Sequence, residues 1–202
     1  MSIRLLIADD YASMRCALRH FLEGNTDMQI VGEAANGQEA VQQCLRLKPD
    51  AVTMDVRMPL VDGVQATSKI SRLMPHMAVL AVSSEADLWS VHKMFAAGAS
   101  GYILKDFLLE DLEPAIRTVA AGHTFLGQLI IDKVLAHAIH GRSPLAHDQT
   151  AVLRGLAQGR SPEQTALDLH FPVDMVRQTL RSIARSASIP AIECLINHIQ
   201  IQ

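Results

Sequence analysis

The chain has 202 residues, 49% apolar and 19% charged, enough apolar material for one large core or two smaller ones. A net charge of −3 neither demands nor forbids a nucleic-acid partner, and no apolar run approaches the roughly 20 residues of a membrane span. Met1-Ser2-Ile3-Arg4 enters an apolar run at once, without the layout of a signal peptide, so a cytoplasmic protein with no membrane partner is expected.

Short apolar runs at 3–8, 29–34, 50–55, 77–83 and 101–105 read as strands. Helical periodicity fills the gaps, at 12–24, 37–48, 64–74, 86–97 and 109–121. Asn36 before Gly37 and Asp62 before Gly63 mark helix starts, and Pro49 and Pro75 lie just past helix ends. Five alternating β and α units predict an α/β fold, a (βα)5 doubly wound parallel sheet covered on both faces. After Gly122 the strand signals stop. Residues 128–140 read as one helix, and Gly141-Arg142-Ser143-Pro144 as a breaker. Beyond it come only helices, near 148–158, 162–169, 173–187 and 190–200. The expected domains are therefore 1–121, a linker with a helix at 122–147, and a small all-α domain at 148–202. The first carries 11 Lys/Arg and 15 Asp/Glu, net −4; residues 142–202 carry 6 Arg, no Lys and 5 Asp/Glu, net +1. Cys16, Cys44 and Cys194 are far apart and odd in number, which predicts small buried thiols.

Four strand ends carry chemistry. Asp9 and Asp10 follow the first strand, Asp55 ends the third, Ser83 ends the fourth and Lys105 the fifth. In a parallel sheet these ends share one edge, where ligands bind. Each residue alone has a bland explanation: Asp10 or Ser83 as a helix cap, Asp55 as a turn residue, Lys105 as a solvated lysine. The conjunction predicts more. Three clustered carboxylates repel and raise one another's pKa. A Mg²⁺ ion, which takes a few carboxylates, waters and phosphate oxygens, relieves that. An ionised Asp beside it can attack phosphorus, with the ammonium and hydroxyl stabilising the equatorial oxygens.

Asp9-Asp10, Met54-Asp55-Val56-Arg57-Met58-Pro59, Ser83 and Gly98-Ala99-Ser100-Gly101-Tyr102-Ile103-Leu104-Lys105-Asp106 resemble the receiver domain of two-component response regulators, the last stretch especially the NarL/FixJ subfamily. The resemblance covers essentially all of residues 3–121. It implies that Asp55 is the phosphoacceptor and that Asp9, Asp10, Asp55 and the backbone carbonyl of Arg57 hold Mg²⁺. Ser83 would bond the phosphoryl oxygen, Lys105 would pair with it, and Tyr102 would turn inward into space vacated by Ser83. Arg57 and Glu85, each two residues past a site residue, would affect access of the hydrolytic water. Trp89 and His92 fall near the face that this switch reshapes, where ordinary packing or exposure explains them.

The helices from 148 onward resemble the LuxR-type helix-turn-helix of the same subfamily, through Leu153-Arg154-Gly155-Leu156-Ala157-Gln158-Gly159-Arg160-Ser161 and then Ala166 and Leu169. The long helix would be the recognition helix, with Arg177, Arg181 and Arg185 along one face and Gln178 beside them as DNA-binding residues. The opening Pro172-Val173-Asp174-Met175-Val176-Arg177-Gln178-Thr179 departs from the family pattern Ser-x-x-Thr-Val-Lys-x-His. The departures remove phosphate donors and add an anion at Asp174.

The expected function is a phosphorylation-controlled response regulator, served by a histidine kinase, binding DNA through residues 148–202 and dimerising on phosphorylation. It would act only on its own aspartate and not as an enzyme on a free substrate. The alternative is a receiver-controlled protein-interaction module whose divergent helical domain has lost specific DNA binding. A phosphohydrolase with an aspartyl nucleophile would place an acid two residues after Asp55, and that position is Arg57.

Overall fold

The computed structural model describes residues 2–133, 147–157 and 160–179. Six parallel strands form one sheet in the order β2-β1-β3-β4-β5-β6. They are β1 (Ile3–Ala8), β2 (Met28–Ala34), β3 (Ala51–Asp55), β4 (Ala78–Ser83), β5 (Gly101–Leu104) and β6 (Phe125–Leu126). Between them run α1 (Ala12–Leu22), α2 (Gly37–Leu47), α3 (Gly63–Leu73), α4 (Leu88–Ala96) and α5 (Leu108–Ala120), the last entered through a 3-10 turn at Lys105–Phe107.

The central strands are largely apolar because both faces are covered, whereas the edge strand β2 carries Gln29 and Glu33. Alternate residues serve two cores. Leu5, Ile7, Leu80, Val82 and Ile103 pack with Leu18 and Leu22 of α1 and Leu112, Ile116 and Val119 of α5. Leu6, Val52, Met54, Val79 and Ala81 pack with Ala40 and Cys44 of α2, Ala66 and Ile70 of α3, and Val91, Met94 and Phe95 of α4. Each fully buried Leu or Ile among them contributes about 1.5–3 kcal/mol through removal from water. Asn36 and Asp62 cap α2 and α3 by accepting from the amides of Glu39 and Gln65.

The fourth helix begins at Leu88 and not at 86, because the Asp87 side chain accepts the Ser90 amide at 2.9 Å and so sets its start. The sixth strand is a correction to the sequence reading, in which strands stop at Gly122. Phe125 donates its amide to Ser100 O at 3.1 Å and Gly127 to Tyr102 O at 2.9 Å. Both side chains of this two-residue strand are buried. Two residues are too short for a periodicity, and the strand exists because β5 offers it an open edge. The thiols also divide: Cys44 is buried, with its pKa pushed up to about 12 by burial, whereas Cys16 is exposed on α1. Cys194 lies outside the described residues.

Residues 128–133 are helical and form α6; the rest of the helix expected to 140, and the breaker at 141–144, lie outside the described residues. Then follow α7 (His147–Ala157) and α8 (Pro162–Leu169), and residues 173–179 open α9. A Ser161 capping box with Gln164 fixes the start of α8. His170, in the left-handed region at φ 56°, ends it. Val152, Leu153, Ala166 and Val176 are buried, and their apolar cluster is continuous with Leu126, Ile130 and Ile131. The helix expected at 190–200 lies outside the described residues.

Candidate phosphoryl-transfer site

In the order β2-β1-β3 the chain reverses direction of travel across the sheet at β1, and the crevice between the ends of β1 and β3 is where such folds bind ligands. Asp9 stands just past the end of β1 and Asp55 closes β3. Carboxylate oxygens of Asp9, Asp10 and Asp55 lie within 4.8 Å of one another. Lys105, just past β5, reaches between two of them, 2.7 Å from Asp9 Oδ2 and 2.9 Å from Asp55 Oδ2. The side chains of this triad are only 2%, 7% and 11% exposed for Asp9, Asp55 and Lys105, so water screens their interaction poorly.

The helix-cap explanation of Asp10 does not hold here. The residue capping α1 is Tyr11, without a side-chain bond, so Asp10 is not its cap. Asp10 Oδ1 is buried with no hydrogen-bond partner. A buried acceptor left unpaired is costly, and a divalent cation is the partner that three converging carboxylates suit. Asp55 Oδ1 accepts the Arg57 amide at 3.3 Å, which places the Arg57 main chain beside the cluster. The close turn depends on Gly63: a Cβ there would stand 2.1 Å from the Asp55 carbonyl oxygen.

Burial pushes the Asp55 carboxyl above its usual range, the Lys105 hydrogen bond and charge pull it back without cancelling, and the Asp9 charge adds to the rise. Burial works against the Lys105 ammonium, but its bonds to Asp9 and Asp55 outweigh that and hold it above its usual range.

Ser83 is buried at the end of β4, its Oγ accepting the Glu85 amide at 3.0 Å. Tyr102 is fully buried on β5 and donates its hydroxyl to Glu85 O at 2.8 Å, with burial pushing its pKa up to about 12. The inward turn that the sequence reading assigns to Tyr102 is thus already made, with Ser83 still bonded to the Glu85 amide. A cleft of about 530 Å³ adjoins the site, lined by Asp10, Arg57, Met58, Glu85, Ser90 and Lys93 among others. Arg57 and Glu85 form an ion pair, and Ser90 Oγ donates to the other Glu85 oxygen at 2.9 Å. Trp89 is exposed, with Lys93 Nζ 5.1 Å from its ring centroid and the His92 ring 5.8 Å away.

Two features escaped the sequence reading. Arg15 folds from α1 onto the main-chain carbonyls of Asp9 and Asp10 and bonds Glu33. Its acceptors are main-chain carbonyls, which no residue type marks in the sequence. In the helical region Arg177 is exposed but bonded to Glu163 Oε1 at 2.8 Å, and Arg160 to Asp168 at 2.6 Å. Gln178 is exposed beside Arg177; Arg181 and Arg185 lie outside the described residues.

The response regulator receiver domain family model matches residues 5–117. The transcriptional regulatory protein LiaR of Bacillus subtilis is 30% identical over 187 residues, covering 90% of this chain and 89% of that one. A LuxR-family two-component response regulator from Aurantimonas sp. aligns with a TM-score of 0.62 at 28% identity, covering 66% of this chain and 98% of that structure. The Salmonella typhimurium RcsB response regulator matches the fold along 100% of this chain and 99% of its own, with a TM-score of 0.62 at 19% identity. With the receiver family matched over residues 5–117 and a transcriptional regulator matched along nine-tenths of its length, the chain belongs to the response regulators of the NarL/FixJ type.

Proposed function

We propose that this chain is a phosphorylation-controlled transcription regulator that takes its phosphoryl group on Asp55. The observation that carries this reading is Lys105 held between Asp9 and Asp55, beside an Asp10 oxygen with no partner. Asp9, Asp10 and Asp55, with the Arg57 carbonyl, would hold Mg²⁺. When bound, Mg²⁺ supplies charge neutralisation at the attacking carboxylate and the transferring phosphoryl group.

The chain's own residues supply the rest. An Asp55 oxygen attacks the phosphorus of a phosphohistidine on a histidine kinase. The O–P bond forms as the N–P bond breaks, and the electron pair leaves with the imidazole. Lys105 exchanges its bond with Asp55 for one with a phosphoryl oxygen. Ser83, a short hydroxyl at the next strand end, bonds another oxygen and gives up the Glu85 amide. Because Tyr102 is bonded to the same residue through Glu85 O, movement of Ser83 is felt at the Tyr102 hydroxyl. The Arg57–Glu85 pair limits entry of the water that ends the signal. The reaction is confined to the protein's own carboxylate, so no free substrate is turned over.

Residues 1–121 form the receiver unit, 122–147 the connection and 148–202 the DNA-binding unit in this reading. The relative LiaR is named a transcriptional regulatory protein, and RcsB has been solved in complex with DNA and as dimers on DNA, which supports DNA contact and dimerisation over the protein-interaction alternative. Arg177 and Gln178, with Arg181 and Arg185 further along, would face the DNA. No helix among the described residues is long and apolar enough to cross a membrane. The test is incubation of the full chain with Mg²⁺ and a small acyl phosphate, followed by peptide mass spectrometry, solution mass and retention of genomic DNA fragments. The expected result is modification confined to Asp55, a shift toward dimer and tighter DNA retention. Modification elsewhere, or full modification of Asp55→Asn, would overturn it.

A further inference from the structure

We propose that Arg15 is a positioning residue for the divalent-cation site, its guanidinium clamping the loop that aims Asp9 and Asp10. The proposal rests on reading the acidic cluster as a cation site. Arg15 Nη1 donates to Asp9 O at 2.7 Å and to Asp10 O at 3.3 Å. The side chain leaves α1 and returns over the loop that precedes it. Its Nε is held by Glu33 Oε2 at 3.2 Å, while the other Glu33 oxygen takes Arg19 Nε at 2.7 Å and Nη2 at 2.5 Å. Glu33 stands on β2 opposite Ile7 of β1, so the guanidinium plane is referenced to the sheet itself.

The two acids differ in how much else fixes them. Asp9 has its amide on Ala34 O at 3.1 Å, its Oδ1 on the Tyr11 amide at 2.9 Å and its Oδ2 on Lys105. Asp10 has a buried Oδ1 with no partner, so its aim is inherited from its main chain. Arg15 holds that main chain at the carbonyl. A fork of coplanar donors can do this from one side chain; an ammonium on a flexible stem cannot fix both carbonyls and Glu33 together. Groups that orient metal ligands from behind typically change metal affinity about 10–100-fold when removed.

Charge and position predict opposite signs. A cation near the site, acting through its field alone, weakens Mg²⁺ binding, so deleting it would tighten the ion. A clamp strengthens binding, so deleting it would loosen the ion. The experiment titrates Mg²⁺ into the full-length protein and its Arg15→Ala, Arg15→Lys and Glu33→Gln variants by isothermal calorimetry. Thermal unfolding in chelator serves as the fold control, and exchange of the Tyr11 amide reports the loop. The expected result is about tenfold weaker Mg²⁺ in Arg15→Ala and a smaller loss in Arg15→Lys and Glu33→Gln, with faster Tyr11 exchange in each. Unchanged or tighter Mg²⁺ in Arg15→Ala would overturn the clamp, and full affinity in Arg15→Lys would overturn the need for a guanidinium fork. If Arg15→Ala does not fold, Arg15→Lys and Glu33→Gln carry the test, and wild-type affinity in both would overturn the clamp. A flat wild-type titration would remove the cation site itself, and the role of Arg15 with it.

Discussion

The sheet edge and the helical region both pair cations with carboxylates, but on opposite terms. At the sheet edge Lys105 is shut between Asp9 and Asp55, each almost fully buried. In the helical region Arg177 and Glu163 meet with about half of each side chain in water. Charges of the first kind cannot be satisfied elsewhere without a partner of comparable strength, so their rearrangement is a chemical event. Charges of the second kind exchange cheaply with water, salt or a phosphate. In the proposed function the first kind suits a site that would react and the second a surface that would dock.

The strongest way to break the first half of this comparison is Gly63→Ala. Its Cβ would fall 2.1 Å from the Asp55 carbonyl oxygen, and that atom is main chain and cannot yield by changing a rotamer. The expected loss is about 3 kcal/mol of stability or more, with phosphoryl uptake at Asp55 lost in whatever folds. Chemical denaturation and phosphopeptide mapping check both. Next comes Lys105→Met. Removing the ammonium leaves two buried carboxylates facing each other, which costs on the order of 3 kcal/mol without Mg²⁺. Phosphoryl uptake should also slow by about 100-fold or more. The folded pKa of Asp55 already stands above its unfolded value, and loss of Lys105 raises it further. Ionisation of Asp55 therefore opposes folding. The penalty is absent below the unfolded value and grows as pH rises through the folded one, so the variant should be closer to wild type at pH 4 than at pH 8. Equal destabilisation at both would show that the acids are not facing each other.

How legible these regions were follows from the same difference. Asp9, Asp10, Asp55, Ser83 and Lys105 were readable because strand ends are readable. Apolar runs locate the strands, and parallel topology brings their ends together whatever the loops do. Strand β6 was not, since a two-residue strand has no period and is decided by the free edge of β5. Tyr102 could be singled out from its motif, but its rotamer depends on the Glu85 carbonyl, a main-chain partner that no residue type announces. Arg15 was hidden for the same reason, because its acceptors are the carbonyls of Asp9 and Asp10. In the helical region the arginine spacing was legible, yet the partner that neutralises Arg177 sits 14 residues earlier on another helix.

Intermediate effects sharpen the comparison. Glu33 is partly exposed, yet burial, which would raise its pKa, is outweighed by Arg19 and Arg15, so its carboxyl titrates below its ordinary 4.5. It therefore contributes stability that is present above 4.5 and lost as pH falls through the folded value. Glu33→Gln should flatten this part of the acid limb while costing only about 0.5–1 kcal/mol at neutral pH. Urea unfolding at pH 3 and pH 7 measures the difference. Arg57→Ala removes the exposed half of the pair with Glu85 and opens the cleft beside Asp55. The acyl phosphate should then hydrolyse severalfold faster with no change in stability, as read by its decay after the donor is removed.

The smallest effect belongs to the docking surface and tests whether it docks nucleic acid at all. The Arg177 guanidinium is bonded to Glu163 at the first turn of α8, and the Glu163 carboxyl is held below its usual range first by its own backbone amide and then by this bond. A DNA phosphate that takes Arg177 must displace Glu163 and then tolerate that carboxylate nearby. Glu163→Gln should therefore tighten duplex binding a few-fold at low salt. The slope of log K against log salt should steepen by about one phosphate contact, since an arginine already paired internally releases fewer counterions than a free one. Arg177→Ala should weaken binding and cancel the gain in the double variant, because both effects run through one guanidinium. If Glu163→Gln binds no more tightly while Arg177→Ala still weakens binding, the pair opens at no cost and the carboxylate plays no part in recognition. If neither variant changes binding, Arg177 does not face the DNA, and the contact must come from another part of the surface.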